Sequence, residues 1–344
     1  MENAILVGTR DLDELRELAT AAGARIIDEV IQRRDRPDPA TFIGKGKVEE
    51  IRDEVLLEGV DVVIFDDELS PSQAKNLEEA LETKVVDRTG LILDIFARRA
   101  RTKEGKLQVE LAQLEYRLTR LAGYRDYLSR LGGGIGTRGP GETKLEMDRR
   151  QVRHRIGTLK RDIEQIRKHR QLHRERRRRD QLPLVSLVGY TNAGKSTLFR
   201  ALSKENTLVS SRLFSTLDTL IRRIQVGRNF PVLISDTVGF IRKLPHQLVS
   251  AFRATLEEVV EADLILHVID ASDPDREEKR QVVLDVLKEI GAGDHPMLTV
   301  YNKADLLPSA GPDLEEGLLV SAVTGQGLDR LVSEIVPQVS PIRV

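Results

Sequence analysis

The run Leu184-Val-Ser-Leu-Val188, then Gly189-Tyr190-Thr191-Asn192-Ala193-Gly194-Lys195-Ser196, then Thr197-Leu-Phe-Arg-Ala-Leu202 decides the fold. An apolar strand runs into a turn of the form G-x-x-x-x-G-K-S, and a helix opens directly after it. The glycines let successive backbone N–H groups curl around phosphate oxygens, and the helix N-terminus adds a favourable field for anions. Lys195 is placed to reach the β- and γ-phosphates of a nucleotide, and Ser196 to give its hydroxyl to Mg²⁺.

Three further strings follow in a fixed order. Asp236-Thr237-Val238-Gly239 ends an apolar strand. Its carboxylate can hold Mg²⁺ through water, and the Gly239 N–H can sense a γ-phosphate. Asn302-Lys303-Ala304-Asp305 follows another strand, and a carboxylate there accepts both the ring N–H and the exocyclic amine of guanine, a donor pair that adenine lacks. Ser321-Ala322-Val323 follows a short strand and sets the Ala322 N–H against the guanine oxygen. Any one of these is an ordinary loop; together they predict a guanine-nucleotide site. Between the phosphate loop and Asp236 lies Phe214-Ser215-Thr216-Leu217-Asp218-Thr219. Thr216 is the expected hydroxyl that closes on Mg²⁺ when the γ-phosphate is present, with Thr219 as the competing choice. Phe240 stands where many GTPases carry a Gln that orients the attacking water, which predicts slow intrinsic hydrolysis and an activating group supplied by a partner.

Outward from this site the chain changes character twice. Strands expected at Leu184–Val188, Val232–Ser235, Leu264–Ile269, Met297–Tyr301 and Leu318–Val320, mostly followed by helices, predict a doubly wound α/β sheet over 181–344. Over 106–180, Leu107, Leu111, Leu114, Leu118 and Leu121 are spaced 4-3-4-3, as are Val152, Ile156, Leu159, Ile163 and Ile166. Each row is one apolar seam of a long helix. The segment 131–141, with six glycines and a proline, cannot continue a helix. An antiparallel coiled-coil hairpin with a glycine-rich tip is the expected assembly, its first helix about 37 Å long; separate packing of the two helices is the alternative. Residues 1–105 alternate strands (Ala4–Val7, Arg25–Ile31, Val60–Asp66, Lys84–Asp87) with helices starting near Asp11, Lys47 and Ser70, which predicts a small parallel α/β domain. Ser70, Pro71 and Gln73 form a capping box.

The chain has 344 residues and a formal charge of −1, but residues 149–179 hold fourteen Lys/Arg against three Asp/Glu, a local +11, leaving −12 elsewhere. Such a field can steer nucleic acid although the whole is neutral. Arg138 in the tip, then Lys144, Arg149, Arg150, Arg153 and Arg155, and the cluster Arg174, Arg176, Arg177, Arg178 and Arg179 are the candidate RNA contacts; a solvated helix face is the plainer alternative. Gly44-Lys-Gly-Lys47 is a weak second phosphate candidate. With no cysteine there is no disulfide framework and no thiolate metal site. No apolar run approaches a membrane span, and the first residues do not read as a secretory leader. A cytoplasmic monomer is expected, with peripheral membrane association left open.

The strings outside the nucleotide site resemble the HflX family of ribosome-associated GTPases over almost the whole chain. They include Phe42-Ile-Gly-Lys-Gly-Lys-Val-Glu-Glu50, Phe65-Asp-Asp-Glu-Leu-Ser-Pro-Ser-Gln73, Gln108-Val-Glu-Leu-Ala-Gln-Leu-Glu-Tyr116, Gly132-Gly-Gly-Ile-Gly-Thr-Arg-Gly-Pro-Gly-Glu-Thr143 and Gly239-Phe-Ile-Arg-Lys-Leu-Pro245. The resemblance implies binding to the large (50S) ribosomal subunit and its rRNA, with GTP hydrolysis to GDP stimulated by the ribosome. It also implies splitting of stalled 70S ribosomes under stress, a part in subunit maturation, and ATP binding and hydrolysis through the N-terminal region. One departure stands out: the family usually reads Leu-Asp-Pro-Thr where this chain has Leu217-Asp218-Thr219-Leu220, which removes one Thr and favours Thr216.

Overall fold

A computed structural model describes residues 1–34, 36–131, 140–180, 182–204, 214, 219–226, 230–243, 253–308 and 316–339, with the backbone alone over 121–131, 140–145, 173–178 and 253–255. The chain divides into two compact units, one formed by 1–98 with 106–163 and the other by 99–105 with 164–344.

In the first unit, strands β1 (Asn3–Gly8), β2 (Arg25–Ile31), β3 (Val62–Phe65) and β4 (Lys84–Asp87) form a parallel sheet in the order β2-β1-β3-β4. Helices α1 (Asp13–Ala21), α2 (Lys45–Glu58), α3 (Pro71–Leu81) and α4 (Arg88–Arg99) connect and follow them. Alternate residues Ile5, Val7, Val63, Phe65 and Val85 pack against Val48, Ile51 and Val55 of α2 and Leu77 and Leu81 of α3, as the two-residue period of a strand dictates. The capping box forms as read: the Ser70 hydroxyl accepts from the Gln73 N–H at 3.2 Å, and the Gln73 side chain accepts from the Ser70 N–H at 3.0 Å. Helix α4 was not expected from the sequence. It begins directly at the end of β4, where Asp87 and Arg88 are already buried.

Helices α5 (Lys103–Leu131) and α6 (Pro140–Arg179) carry the two leucine-spaced rows. Pro140 and Gly141, expected in the tip, sit instead in the first turn of α6, where proline's fixed φ is compatible with a helix. The rest of the expected tip, residues 132–139, lies outside the described residues. Leu111, Ile156 and Leu159 are buried together, flanked by Leu107, Leu114, Leu118, Val152 and Ile163. A parallel course would require residues 132–139 to span about 50 Å, and an extended chain of that length reaches about 30 Å at most, so the helices run antiparallel. Ion pairs cross the seam from Arg155 to Glu110 (2.7 Å) and from Lys160 to Glu115 (2.8 Å).

Asp87 joins α5 to the sheet of this unit. Its wholly buried carboxylate accepts from the Gly90 N–H (2.8 Å), the Tyr116 hydroxyl (2.6 Å) and Arg120 (3.0 Å). Burial, with the neighbouring Asp87 charge, pushes the Tyr116 phenol well above its ordinary pKa, so the hydroxyl stays a donor throughout the usual pH range. Beside it, the buried Arg88 guanidinium pairs with Asp66 at 2.6 Å and with Glu14.

The second unit holds a six-stranded sheet of β5 (Leu184–Gly189), β6 (Leu220–Val226), β7 (Phe230–Asp236), β8 (Leu264–Asp270), β9 (Met297–Asn302) and β10 (Leu318–Leu319), in the order β10-β9-β8-β5-β7-β6. All pairs are parallel except β6 with β7. Helices α7 (Lys195–Ser203), α8 (Arg253–Val260), α9 (Arg276–Glu289) and α10 (Leu328–Val339) cover it. Val185, Leu187, Leu266, Val268 and Val300 face α7 and α10, while Val188 and Ile265 face α8 and α9. Among the described residues no helix is long and apolar enough to cross a membrane.

Leu159 is 0% exposed at the centre of the seam. Leu159→Ala is expected to cost about 2–5 kcal/mol in denaturant unfolding; a loss below about 1 kcal/mol would contradict the packed seam.

Candidate functional site

The four described loops of interest leave the carboxyl edge of the second sheet, where doubly wound folds place their ligands. After β5 the chain turns through Gly189–Gly194 into α7. Gly194 has φ +88°, and a Cβ there would lie 2.3 Å from the Asn302 amide nitrogen, so glycine is required on both counts. Asn192 adopts φ +64° and is exposed, while Thr191 and Ala193 are buried.

Asn302, at the end of β9, is 2% exposed. Its side-chain N–H donates to the Ala193 carbonyl at 3.0 Å, and its side-chain oxygen accepts from the Ala322 N–H at 3.0 Å. One carboxamide therefore ties the Gly189–Ser196 loop to the loop after β10. Asp305 is exposed, with its carboxylate held by the Ser321 hydroxyl. Ser321 also accepts from the Thr324 N–H at 3.1 Å, and Val323 is 76% exposed at the rim. Lys303, at φ +65°, pairs with Asp270 at 2.6 Å, and the Ala304 N–H donates to the Val320 carbonyl at 3.0 Å. Asn302 and Ser321 thus orient the edge on which Asp305 and the Ala322 N–H sit.

Lys195 is 6% exposed and donates to the carbonyls of Gly189 (3.0 Å) and Tyr190 (2.8 Å). Burial pushes its pKa down to about 8, with Asp236 acting in the opposite direction. Asp236 is 1% exposed at the end of β7, level with Leu187 of β5, and the next residue, Thr237, donates to the Leu187 carbonyl at 2.6 Å. Gly239 lies against the loop: a Cβ there would sit 2.9 Å from the Lys195 Nζ. Phe240 is 2% exposed in an apolar cluster with Val188, Tyr190, Leu256 and Val283. Ser196 and Asp236 offer hydroxyl and carboxylate oxygens, the hard donor set that Mg²⁺ takes. Phe214 is buried, while Ser215, Thr216, Leu217 and Asp218 lie outside the described residues.

Of three groups here, His267 was missed in the sequence, while Tyr190 and Asn302 were expected at the nucleotide but not with the partners they have. The Tyr190 hydroxyl accepts from the Arg242 N–H at 2.8 Å. His267, on β8, is 1% exposed and held near pKa 4 by burial, with Arg280 and Lys195 adding repulsion. Asn302 is visible in its motif, but its two tethers are not. Of the basic candidates, Arg150, Arg153 and Arg179 are exposed, Arg149 is half-buried, and Arg155 is engaged by Glu110. Arg138 lies outside the described residues, as do the side chains of Lys144, Arg174, Arg176, Arg177 and Arg178. Lower on α6, Arg167 pairs with Glu257 of α8 at 3.0 Å. In the first unit, the Gly44 N–H donates to Gln32 at 2.8 Å and Lys47 pairs with Glu50, while Lys45 of that weaker phosphate candidate is exposed.

Three family models match the chain: "GTP-binding GTPase N-terminal" over residues 9–97, "GTP-binding GTPase Middle Region" over 99–177, and "50S ribosome-binding GTPase" over 184–303. A GTPase HflX of Caldanaerobacter subterraneus is 53% identical over 341 residues, covering 97% of this chain and 80% of that one. The GTPase HflX of Escherichia coli is 47% identical over 337 residues, covering 96% and 79%. A GTP-binding protein from Sulfolobus solfataricus, solved in complex with GDP, shares the fold at a TM-score of 0.50 and 25% identity, covering 99% of each chain.

The depressed pKa of Lys195 has a signed consequence. Phosphate binding uses the ammonium form, and the buried amine loses that form as pH rises through about 8. Guanine-nucleotide affinity should therefore fall by up to about tenfold between pH 8 and 9, as read by titration calorimetry; a flat affinity over that range would contradict the buried ammonium. Gly194→Ala, which meets both the positive φ and Asn302, is expected to lower the same affinity by about a hundredfold, while near-normal affinity would contradict the tight loop.

Proposed function

The chain belongs to the HflX family of GTPases, and from that premise we propose that it hydrolyses GTP on the large ribosomal subunit and drives stalled 70S ribosomes into subunits. The observation that supports this reading is that four of the expected guanine-nucleotide loops, at Gly189–Ser196, Asp236–Gly239, Asn302–Asp305 and Ser321–Val323, leave one sheet edge, with a buried phenylalanine where a water-orienting side chain is expected. Lys195 meets the β- and γ-phosphates, the Gly189–Gly194 amides cradle them, and Asp305 with the Ala322 N–H reads guanine. Ser196, Thr216 and, through water, Asp236 would hold Mg²⁺, which would supply positive charge against the transferred phosphoryl group.

Phe240 offers no hydrogen bond to water, and its ring is retracted into the cluster around Leu256. The activating group therefore comes from the bound subunit. Exposed Arg150 and Arg153 on α6 supply phosphate contacts that position without reading sequence. Arg138, Lys144 and the 174–179 cluster extend that basic surface. The Arg167–Glu257 pair supports a route from α6 to the nucleotide loops, because α8 packs beside Phe240.

Sedimentation of 70S ribosomes with the chain and GTP, a non-hydrolysable GTP analogue or GDP tests the reading. The 70S peak is expected to convert to subunits with GTP and the analogue, much less with GDP, and not with Lys195→Ala. Intact 70S particles, with the chain bound only to immature large particles, would overturn it in favour of an assembly role.

A further inference from the structure

Resting on the reading of this site as a GTP switch, we propose that the Tyr190 hydroxyl is a positioning group that clasps the segment after Asp236 onto the phosphate loop, in a state that excludes the γ-phosphate. Three hydrogen bonds make the clasp. The Phe240 N–H donates to the Gly189 carbonyl at 3.2 Å, and the Thr191 N–H donates to the Phe240 carbonyl at 2.7 Å. Both use backbone groups alone, so side-chain identity does not set them. The third depends on sequence: the Arg242 N–H donates to the Tyr190 hydroxyl at 2.8 Å.

The tyrosine is well placed to hold that bond. Its ring packs in the cluster of Val188, Phe240, Leu256 and Val283, and the Lys279 ammonium sits 5.5 Å from the ring centroid. With the ring fixed, the hydroxyl is fixed too, and Ile241, between the bonded residues, is 0% exposed. Tyr190 thereby holds the chain at a point two residues beyond Phe240.

The clasp acts on the chemistry through Gly239 and Lys195. A Cβ on Gly239 would lie 2.8 Å from the Thr191 Cγ2 and 2.9 Å from the Lys195 Nζ, so the space between this glycine and the ammonium is too small even for a methyl group. Lys195 meanwhile directs two of its three N–H donors to the Gly189 and Tyr190 carbonyls. A γ-phosphate needs the space between Lys195 and the Gly239 N–H. GTP must therefore open the clasp, whereas GDP has no group that enters this space. A ligand shifts such an equilibrium only through its differential affinity for the two states, so weakening the clasp favours GTP over GDP.

Tyr190→Phe keeps the ring and removes one hydrogen bond. The ratio of affinities for a non-hydrolysable GTP analogue and for GDP, measured on the full chain, should shift about fivefold toward the analogue. The Arg242 amide should exchange faster in the variant, and in the wild type on adding the analogue but not GDP. A wild type that binds neither nucleotide overturns the GTP reading itself. A wild type that binds both, with an unchanged ratio and unchanged Arg242 exchange in Tyr190→Phe, overturns the clasp alone. Equal losses of both affinities together with a lowered Tm also overturn it, because Tyr190 would then serve packing only.

Discussion

A buried carboxamide holds the nucleotide edge together. Asn302 spends its donor on the Ala193 carbonyl and its acceptor on the Ala322 N–H. A buried amide left half-satisfied costs about 1–3 kcal/mol, so both loops are held to positions that meet it. Gly194 makes the arrangement possible, because any Cβ at that position would displace the amide. Asp305 and the phosphate loop consequently keep one spacing, and a ligand that spans them must match it.

The second constraint is electrostatic. Lys195 sits almost without solvent, beside Asp236 and beneath Gly239, and burial weakens its hold on a proton. A bound polyphosphate would add negative charge beside Lys195 and favour its ammonium form. The same logic operates at larger scale on α6, where a net +11 over residues 149–179 is offset by −12 in the rest of the chain. Some of that charge is used internally, since Arg155 and Lys160 pair across the hairpin seam. The exposed remainder is what nucleic acid can meet.

What could be read in the sequence follows from how local each cause is. The turn of the phosphate loop, the capping box at Ser70 and the two leucine-spaced rows depend on residues a few positions apart; the first two formed where expected, and the rows packed together except Ile166, with the Leu121 side chain outside the described residues. Strand β6 escaped because Arg222 and Arg223 interrupt its apolar pattern, as charged residues often do on an edge strand. Helix α4 escaped because Asp87 and Arg88, which read as a polar turn, are buried by partners as distant as Glu14 and Arg120. The Tyr190–Arg242 bond joins residues 52 positions apart through a backbone donor that has no sequence signature. The choice of Thr216 over Thr219 rests on the sequence, because Thr216 falls outside the described residues.

On the proposed function the GTPase relies on its partner for activation, because Phe240 is buried in an apolar cluster and offers water no hydrogen bond, and Lys195 is buried as well. The most direct measurement of that claim is GTP turnover by the isolated chain and by the chain with large ribosomal subunits, each at low and at raised salt. Slow turnover alone, a marked rise with subunits and a smaller rise at higher salt are the predicted results. Rapid turnover by the isolated chain that large subunits do not change would contradict the account.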